Sequence, residues 1–278
     1  MSDMTDGIRL AEKADIPALC AIWHACFFDS EEYIHYFYRE NFERMHIYVY
    51  VAGTKPVSMV HLMQAALADG DRKQDVKYIY AAGTHPRHRN KGYMSALLAY
   101  VTAQAKQNAY ALFLKPSSWE ITAFYKKFGF EPDGAWHLHT IQPGEKQALS
   151  VSPLSAEEYN RMRDAAFGKR AYVKWQDAHV RWCVAENAYF SGKTLAVHLG
   201  GEEYFLMGAP EADTFFITET NLSLEQLHSL SAAVCEMFGT ACMKLYLPAP
   251  CVEDEKSIPS SIVYNATIHH AYINLILL

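Results

Sequence analysis

The chain has 278 residues, of which 50% are hydrophobic and 20% are charged, and its formal net charge is −6. This composition predicts a well-packed core, excludes a globally disordered chain, and suits one large domain or two of ordinary size. The acidic balance argues against nucleic acid as a principal partner, because nucleic-acid-binding domains usually carry a basic surface.

The first half of the sequence alternates strand and helix patterns. In chain order it predicts a strand at 8–10, helices at 14–27 and 30–41, strands at 46–52, 56–66 and 76–82, a helix from about 94, a strand at 110–114, a further helix, and a strand at 135–141. The helix at 30–41 opens with Ser30, Glu31 and Glu32, which suit a helix start. The order predicts an α/β fold with a mixed sheet.

A basic turn joins the strand at 76–82 to the helix that follows it. The turn carries Arg87, Arg89 and Lys91, and apolar residues then recur with the spacing of one buried helical face. The first amide groups of a helix have no intrahelical partner and lie at the positive end of its dipole. Together with the three cations they predict an anion site, most simply for phosphate or pyrophosphate. The alternative is a solvated basic turn.

A second motif, Phe124-Tyr125-Lys126-Lys127-Phe128-Gly129-Phe130, follows the strand at 110–114 and a Pro-Ser-Ser break at 116–118. The two motifs together resemble the Gcn5-related N-acetyltransferases, the GNAT superfamily, over roughly residues 8–140. The resemblance is specific because both motifs occur in order at a plausible separation.

The resemblance implies an acetyl-CoA site at the basic turn. The family pattern Arg/Gln-x-x-Gly-x-Gly/Ala maps onto Arg89, Gly92 and Met94, and the strand end before it resembles the segment that holds the pantetheine arm. The implied coenzyme-binding residues are Ala82, Gly83, Thr84, Arg87, Arg89, Asn90, Lys91, Gly92, Tyr93, Met94 and Ser118. Three of them depart from the family pattern. Met94 replaces a small residue, Asn90 a frequent glycine, and Ser118 a frequent asparagine.

The resemblance also implies chemistry. Tyr125 would protonate the departing thiolate of coenzyme A; the alternative is that it packs its ring beside Phe124 and Phe128. The expected activity is transfer of an acetyl group to a primary amine of a small molecule or peptide, without a metal. The alternative is a catalytically silent acyl-CoA-binding module.

The general base is left open by the sequence. Glu31, Glu32, a chain of waters and the terminal carboxylate of Leu278 are all candidates. Phe28, Glu31 and Glu32 are the expected acceptor-site residues, since the family lines its acceptor cleft with the first two helices. With Asp29, these acids favour a cationic amine, unless they serve only to stabilise the helix start.

The second half predicts a smaller α/β lobe after a polar linker at 142–147. Helices are expected at 155–167 and 175–189, a hairpin at 195–199 and 204–207, and a β-α-β unit at 214–218, 223–238 and 243–247. The expected domains are 1–142, catalytic, and 150–278, a divergent GNAT-like lobe. The acidic junction at Glu219 predicts no second coenzyme site, so the second lobe would shape the acceptor pocket or an interface.

Other features of the sequence indicate the state of the cysteines, the expected location of the protein and its oligomeric state. The six cysteines lack paired spacing and are expected to be reduced core residues, with no zinc site. The polar start of the chain predicts no secretory leader, and no apolar run is long enough for a membrane span, so a cytoplasmic protein is expected. A homo-oligomer is compatible with this sequence.

Overall fold

The computed structural model describes residues 6–251 and 256–273. Within them, thirteen strands form one mixed sheet, which is packed with seven α-helices. The predicted α/β class with a mixed sheet is confirmed.

The elements of the first half follow the predicted order. They are β1 (Gly7–Leu10), α1 (Ile16–Phe27), α2 (Glu31–Asn41), β2 (His46–Ala52), β3 (Lys55–Asp69), β4 (Arg72–Thr84), α3 (Tyr93–Gln107), β5 (Ala111–Leu114), α4 (Trp119–Lys126) and β6 (Glu131–Ile141). The long strands β3 and β4 run well past their predicted ends and pair along most of their length.

The second half contains three strands that the sequence patterns did not predict. Its elements are β7 (Ser150–Pro153), α5 (Ala156–Phe167), β8 (Tyr172–Trp175), α6 (Asp177–Tyr189), β9 (Lys193–Leu199), β10 (Glu202–Glu211), β11 (Thr214–Thr220), α7 (Leu224–Phe238), β12 (Cys242–Ala249) and β13 (Ser257–Tyr264). The unpredicted strands are β7, β8 and β13. The first two have only four residues each, and β13 contains Pro259 and three serines, which weaken a strand pattern.

Two strands are exchanged between the halves of the chain. The sheet runs β1-β2-β3-β4-β5-β13-β6-β12-β11-β10-β9-β7, and β8 pairs with the far end of β3. Strand β13 therefore lies between β5 and β6 of the first half, while β6 pairs with β12 of the second. One continuous sheet crosses the predicted boundary between residues 1–142 and 150–278. The division into these two domains stays a prediction.

The larger hydrophobic core also spans both halves. It joins Trp23 and Phe37 of the first two helices to Tyr159, Trp182 and Phe205 of the second half. A smaller cluster packs α7 against the sheet of the second half. The halves are consequently joined by shared packing as well as by shared strands.

Candidate functional site

The site begins where β4 separates from β5. These parallel strands pair only from Val76 to Tyr78, opposite Ala111 to Phe113. Beyond Tyr78 the register of β4 shifts against β3, and Ala81 has a positive φ of 46°. In the part of the chain that the structure describes, no strand pairs with this edge of β4, so its backbone groups line an open cleft, here called the β4–β5 cleft.

The basic turn lies at the end of this cleft and leads into α3, as predicted. Asn90 and Gly92 have φ values of 61° and 81°, the left-handed conformation that asparagine and glycine adopt more readily than other residues. Gly92 is the N-cap residue of α3, and no side chain caps its first amide groups. Arg89 is exposed, and its Nε donates to the carbonyl oxygen of Thr84 over 3.3 Å. The turn therefore presents backbone donors and cations together.

A cavity of about 860 Å³ fills the β4–β5 cleft. It brings together most of the predicted coenzyme-binding residues with Tyr125: Ala82, Gly83, Thr84, Arg89, Asn90, Lys91, Gly92, Tyr93 and Met94. Helix α1 reaches this wall closely at Gly83, where a Cβ atom would lie 3.2 Å from Sγ of Cys26.

Two predicted coenzyme-binding residues are outside the lining of this cavity. Arg87 is exposed on the outer side of the turn, and its backbone N–H donates to Nδ1 of His85. Ser118 is the N-cap of α4, where its Oγ accepts from the N–H of Ile121 over 3.4 Å. Ser117 and Pro116 of the same break do line the cavity.

Tyr125 lies in the last turn of α4 and is half-buried. Its ring contacts Phe124 and Phe130 edge-on, with centroid separations of 5.5 and 5.8 Å. Burial raises the pKa of its hydroxyl to about 12. A phenol with this pKa stays protonated near neutral pH, so Tyr125 can donate a proton into the cleft.

A second cavity of about 390 Å³, here called the Glu186 cavity, adjoins the cleft and lies between the halves of the chain. Asp29 and Tyr80 line both cavities. The other lining residues are Tyr33, Cys183, Glu186, Asn187, Phe190, Met207, Ala209, Pro210, Glu211, Phe216 and Thr218.

The predicted acceptor residues are not part of either cavity lining. Phe28 is 83% exposed, and Glu31 and Glu32 are exposed in the first turn of α2, where carboxylates interact favourably with the helix dipole. Asp29 alone of this group faces the cavities, and it accepts from Nε1 of Trp23 over 2.7 Å. The carboxylate of Leu278 lies outside the described residues.

Glu186 is a titratable residue of the site that the sequence did not indicate. It lies on α6, and its Oε1 accepts a hydrogen bond from the hydroxyl of Tyr33. Burial, followed by the nearby charge of Asp29, raises the pKa of Glu186 to about 7, although the bond from Tyr33 opposes the shift. The only signal in the sequence is a glutamate beside buried positions of a helix, which is too common to be specific.

A comparable cleft exists between β11 and β12, but its chemistry differs. These strands pair in parallel only up to Ile217 and Leu245, and a cavity of about 470 Å³ follows. Ser223 and Gln226 form a capping box at the start of α7, in which each side chain accepts from the backbone N–H of the other residue. Glu219 at this junction is fully buried against Arg163, so its charge is already neutralised by an ion pair.

The first half of the chain matches a known family model. Residues 7–132 match the family model described as an acetyltransferase (GNAT) domain. No curated protein sequence matches the chain. In the described residues no helix is long and apolar enough to cross a membrane.

Solved structures match nearly the whole chain. A conserved Enterococcus faecalis V583 protein of unknown function, named as a probable N-acyltransferase, aligns with a TM-score of 0.74 and 14% identity over 96% of this chain and 73% of that chain. A GCN5-related N-acetyltransferase from Kribbella flavida gives 0.67 and 15%, covering 95% and 72% of the two chains. Eis1 from Mycobacterium abscessus gives 0.65 and 13%, covering 92% and 73%. At these identities the likeness shows the fold.

Proposed function

The chain carries a GNAT acetyltransferase domain over residues 7–132, and from this premise we propose that it transfers an acetyl group from acetyl-CoA to a primary amine. The observation that carries the proposal is the uncapped start of α3, which opens with Arg89 and Lys91 into the same cavity as Tyr125.

The β4–β5 cleft has the features that a pyrophosphate and an extended pantetheine arm require. The first amides of α3 and two cationic side chains would hold the pyrophosphate. The unpaired edge of β4 offers backbone groups to the amides of the arm, as a neighbouring strand would. By contrast, the start of α7 carries a capping box, which bonds the N–H groups of Ser223 and Gln226.

The remaining residues of the cleft suit the chemical step. When bound, acetyl-CoA would supply an acetyl thioester. A backbone N–H on the free edge of β4 would polarise the thioester carbonyl, because it is a fixed donor in a partly enclosed cleft. Tyr125, protonated at neutral pH, would donate its proton to the sulfur as the carbon–sulfur bond breaks.

A catalytically silent acyl-CoA-binding module is the competing function. Both proteins would bind acetyl-CoA in the β4–β5 cleft, so a binding measurement does not separate them. The Glu186 cavity favours the enzyme, since it provides a separate space beside the cleft in which a second substrate could lie.

The test is to incubate the protein with acetyl-CoA and a library of primary amines and to follow free thiol. Amine-dependent thiol release, with an acetylated amine found by mass spectrometry, supports the transferase. Tight binding of acetyl-CoA without release for any amine would favour the silent module.

A further inference from the structure

We propose that Glu186, contributed by the second half of the chain, is the general base that takes a proton from the acceptor amine, and that the amine lies in the Glu186 cavity. This inference rests on the proposed acetyl transfer, and it assigns the proton acceptor that the first half leaves undefined.

The position of the cavity is the first argument. Tyr80 lies on β4 two residues beyond Tyr78, which is the last residue that pairs with β5. Because Tyr80 and Asp29 line both cavities, the space beside Glu186 opens onto the cleft at the point where the strands part. An amine in the Glu186 cavity would therefore face the region where an acetyl group is expected.

The hydrogen bonding around Glu186 is the second argument. The hydroxyl of Tyr33 donates to one carboxylate oxygen, and Tyr33 also interacts with the hydroxyl of Tyr80. A chain of polar groups thus runs from β4 to the carboxylate. It fixes the orientation of Glu186.

The lining of the cavity indicates the class of amine. Asp29, Glu186 and Glu211 are its charged residues, and among the described lining residues none is lysine, arginine or histidine. Tyr33, Phe190 and Phe216 supply aromatic walls. This combination suits a protonated primary amine on an aromatic or aliphatic stem.

The protonation equilibrium of Glu186 suits a base. The titratable groups that face it are Asp29 from the α1–α2 loop, Tyr33 and Tyr36 from α2, Tyr78 and Tyr80 from β4, Cys183 from α6 and Glu211 from β10. With its pKa raised to about 7, the carboxylate is partly ionised at neutral pH and holds a proton more strongly than an ordinary glutamate. A bound ammonium ion would lower this pKa and release a proton.

The step balances with the residues named. The carboxylate of Glu186 accepts one proton from the ammonium group, and the freed lone pair of nitrogen forms a bond to the carbonyl carbon of the thioester. The carbon–sulfur bond breaks and the sulfur takes the proton of Tyr125. The nitrogen then loses its second proton to the Tyr125 oxygen, and Glu186 releases its proton to water.

The kinetic experiment compares Glu186→Gln with the wild-type enzyme across pH, using an amine from the library. Wild-type kcat/KM should rise up to a break near pH 7. Glu186→Gln should lose about 10²–10⁴-fold near neutral pH and keep rising toward the pKa of the free amine, because only neutral amine then reacts. Glu202→Gln is the matched control, because it removes the charge of an exposed glutamate in the β9–β10 hairpin. Equal turnover and an unshifted break in Glu186→Gln would overturn the assignment.

A binding experiment makes the inference independent of turnover. Calorimetry with tyramine, hexylamine and spermidine in two buffers of different ionisation enthalpy reports proton release on binding. The wild-type protein should bind at least one amine about tenfold or more tightly than Glu186→Gln, with proton release only in the wild type. 4-Ethylphenol, which lacks the ammonium group of tyramine, should not show this difference.

The outcomes separate the two proposals. Proton-coupled amine binding without acetyl transfer would refute the proposed function and leave the Glu186 cavity as an amine site without a catalytic base. If Glu186→Gln transfers the acetyl group as fast as the wild type, or binds the amine with the same affinity, this inference alone is refuted. Unchanged acetyl-CoA affinity and melting temperature in Glu186→Gln verify that the variant is folded.

Discussion

The imidazole of His61 is hydrogen-bonded to the carbonyl oxygen of Ala81, at the irregularity in the pairing of β3 with β4; the Nδ1–O distance is 3.3 Å. The carbonyl can only accept, so Nδ1 is the donor, and Nε2 accepts from the hydroxyl of Tyr38 over 3.1 Å. His61 is completely buried and therefore holds the wall of the cleft in place as a neutral group.

This arrangement predicts a loss of stability in acid. Burial lowers the pKa of His61 to about 3, against an ordinary value of 6.5. The unfolded chain takes up a proton below pH 6.5 that the folded protein accepts only near pH 3, so the free energy of unfolding falls as pH is lowered through this window. The slope from His61 should reach about 1.4 kcal/mol per pH unit.

Urea unfolding at several pH values checks this prediction. His61→Gln should unfold with a shallower pH dependence than the wild type, and His228→Gln, at an exposed position, should match the wild type. Parallel pH dependences for His61→Gln and the wild type would contradict it.

Reversing the charges of the basic turn should weaken coenzyme binding. The double variant Arg89→Glu/Lys91→Glu places two carboxylates beside the expected pyrophosphate, and charged hydrogen bonds contribute about 1.5–3 kcal/mol each. We expect a loss of acetyl-CoA affinity of about tenfold to a hundredfold or more, which decreases at high salt. Isothermal titration calorimetry gives the affinity and the stoichiometry.

Lys73→Glu is the control, because Lys73 is exposed near the distant start of β4. The stoichiometry should be one per chain, since the β11–β12 cleft has a capped helix start and a neutralised acidic group. A stoichiometry near two, or an affinity unaffected by the double variant, would be incompatible with a single site at the basic turn.

Tyr125→Phe should lower turnover without changing coenzyme affinity. The hydroxyl acts only when the thiolate leaves, and general acids contribute about 10²–10⁴-fold to rate. The measurement is single-turnover acetyl transfer alongside the dissociation constant for acetyl-CoA. Tyr204→Phe, in the hairpin of the second half, controls for the loss of a phenol. If Tyr125→Phe turns over normally, Tyr125 is a packing residue of α4.

Breaking the buried ion pair of Arg163 and Glu219 should lower the free energy of unfolding. Nε of Arg163 lies 3.0 Å from Oε2 of Glu219, and both side chains are fully buried. Arg163→Met leaves a buried carboxylate without its cation and should cost about 3–5 kcal/mol in urea unfolding.

Restoring neutrality is the control for this pair. Arg163→Met/Glu219→Gln should recover a substantial part of the loss, because the unpaired charge is removed. Equal destabilisation of the single and the double variant would show that packing around Arg163, and not the ion pair, sets the cost.

Sequence patterns predicted the helices and most strands because these elements carry clear periodicity. The apolar spacing from Met94 to Ala105 reproduces α3, and Asn90 and Gly92 have the backbone conformations that their residue types suggest. Strand β13 was missed because Pro259 and its serines weaken a strand pattern, although burial between two neighbours stabilises it.

The site was predictable only where it is local in sequence. The basic turn and the Tyr125 segment are each contiguous, so their motifs indicate one cleft. Glu186 acquires its environment from Tyr33, which is 153 positions away, and from Asp29. No spacing rule encodes such a contact, whereas Glu31 and Glu32 stand out in the sequence as acids at a helix start and are exposed.

The exchange of strands has a consequence for how the protein is made. A ribosome must translate as far as Tyr264 before β13 can enter the sheet between β5 and β6. Until then, β5, which forms one wall of the β4–β5 cleft, has an open edge, even though every residue from 7 to 132 has already been synthesised. Interrupted synthesis, or proteolysis within the second half, would therefore leave a chain that cannot complete its cleft.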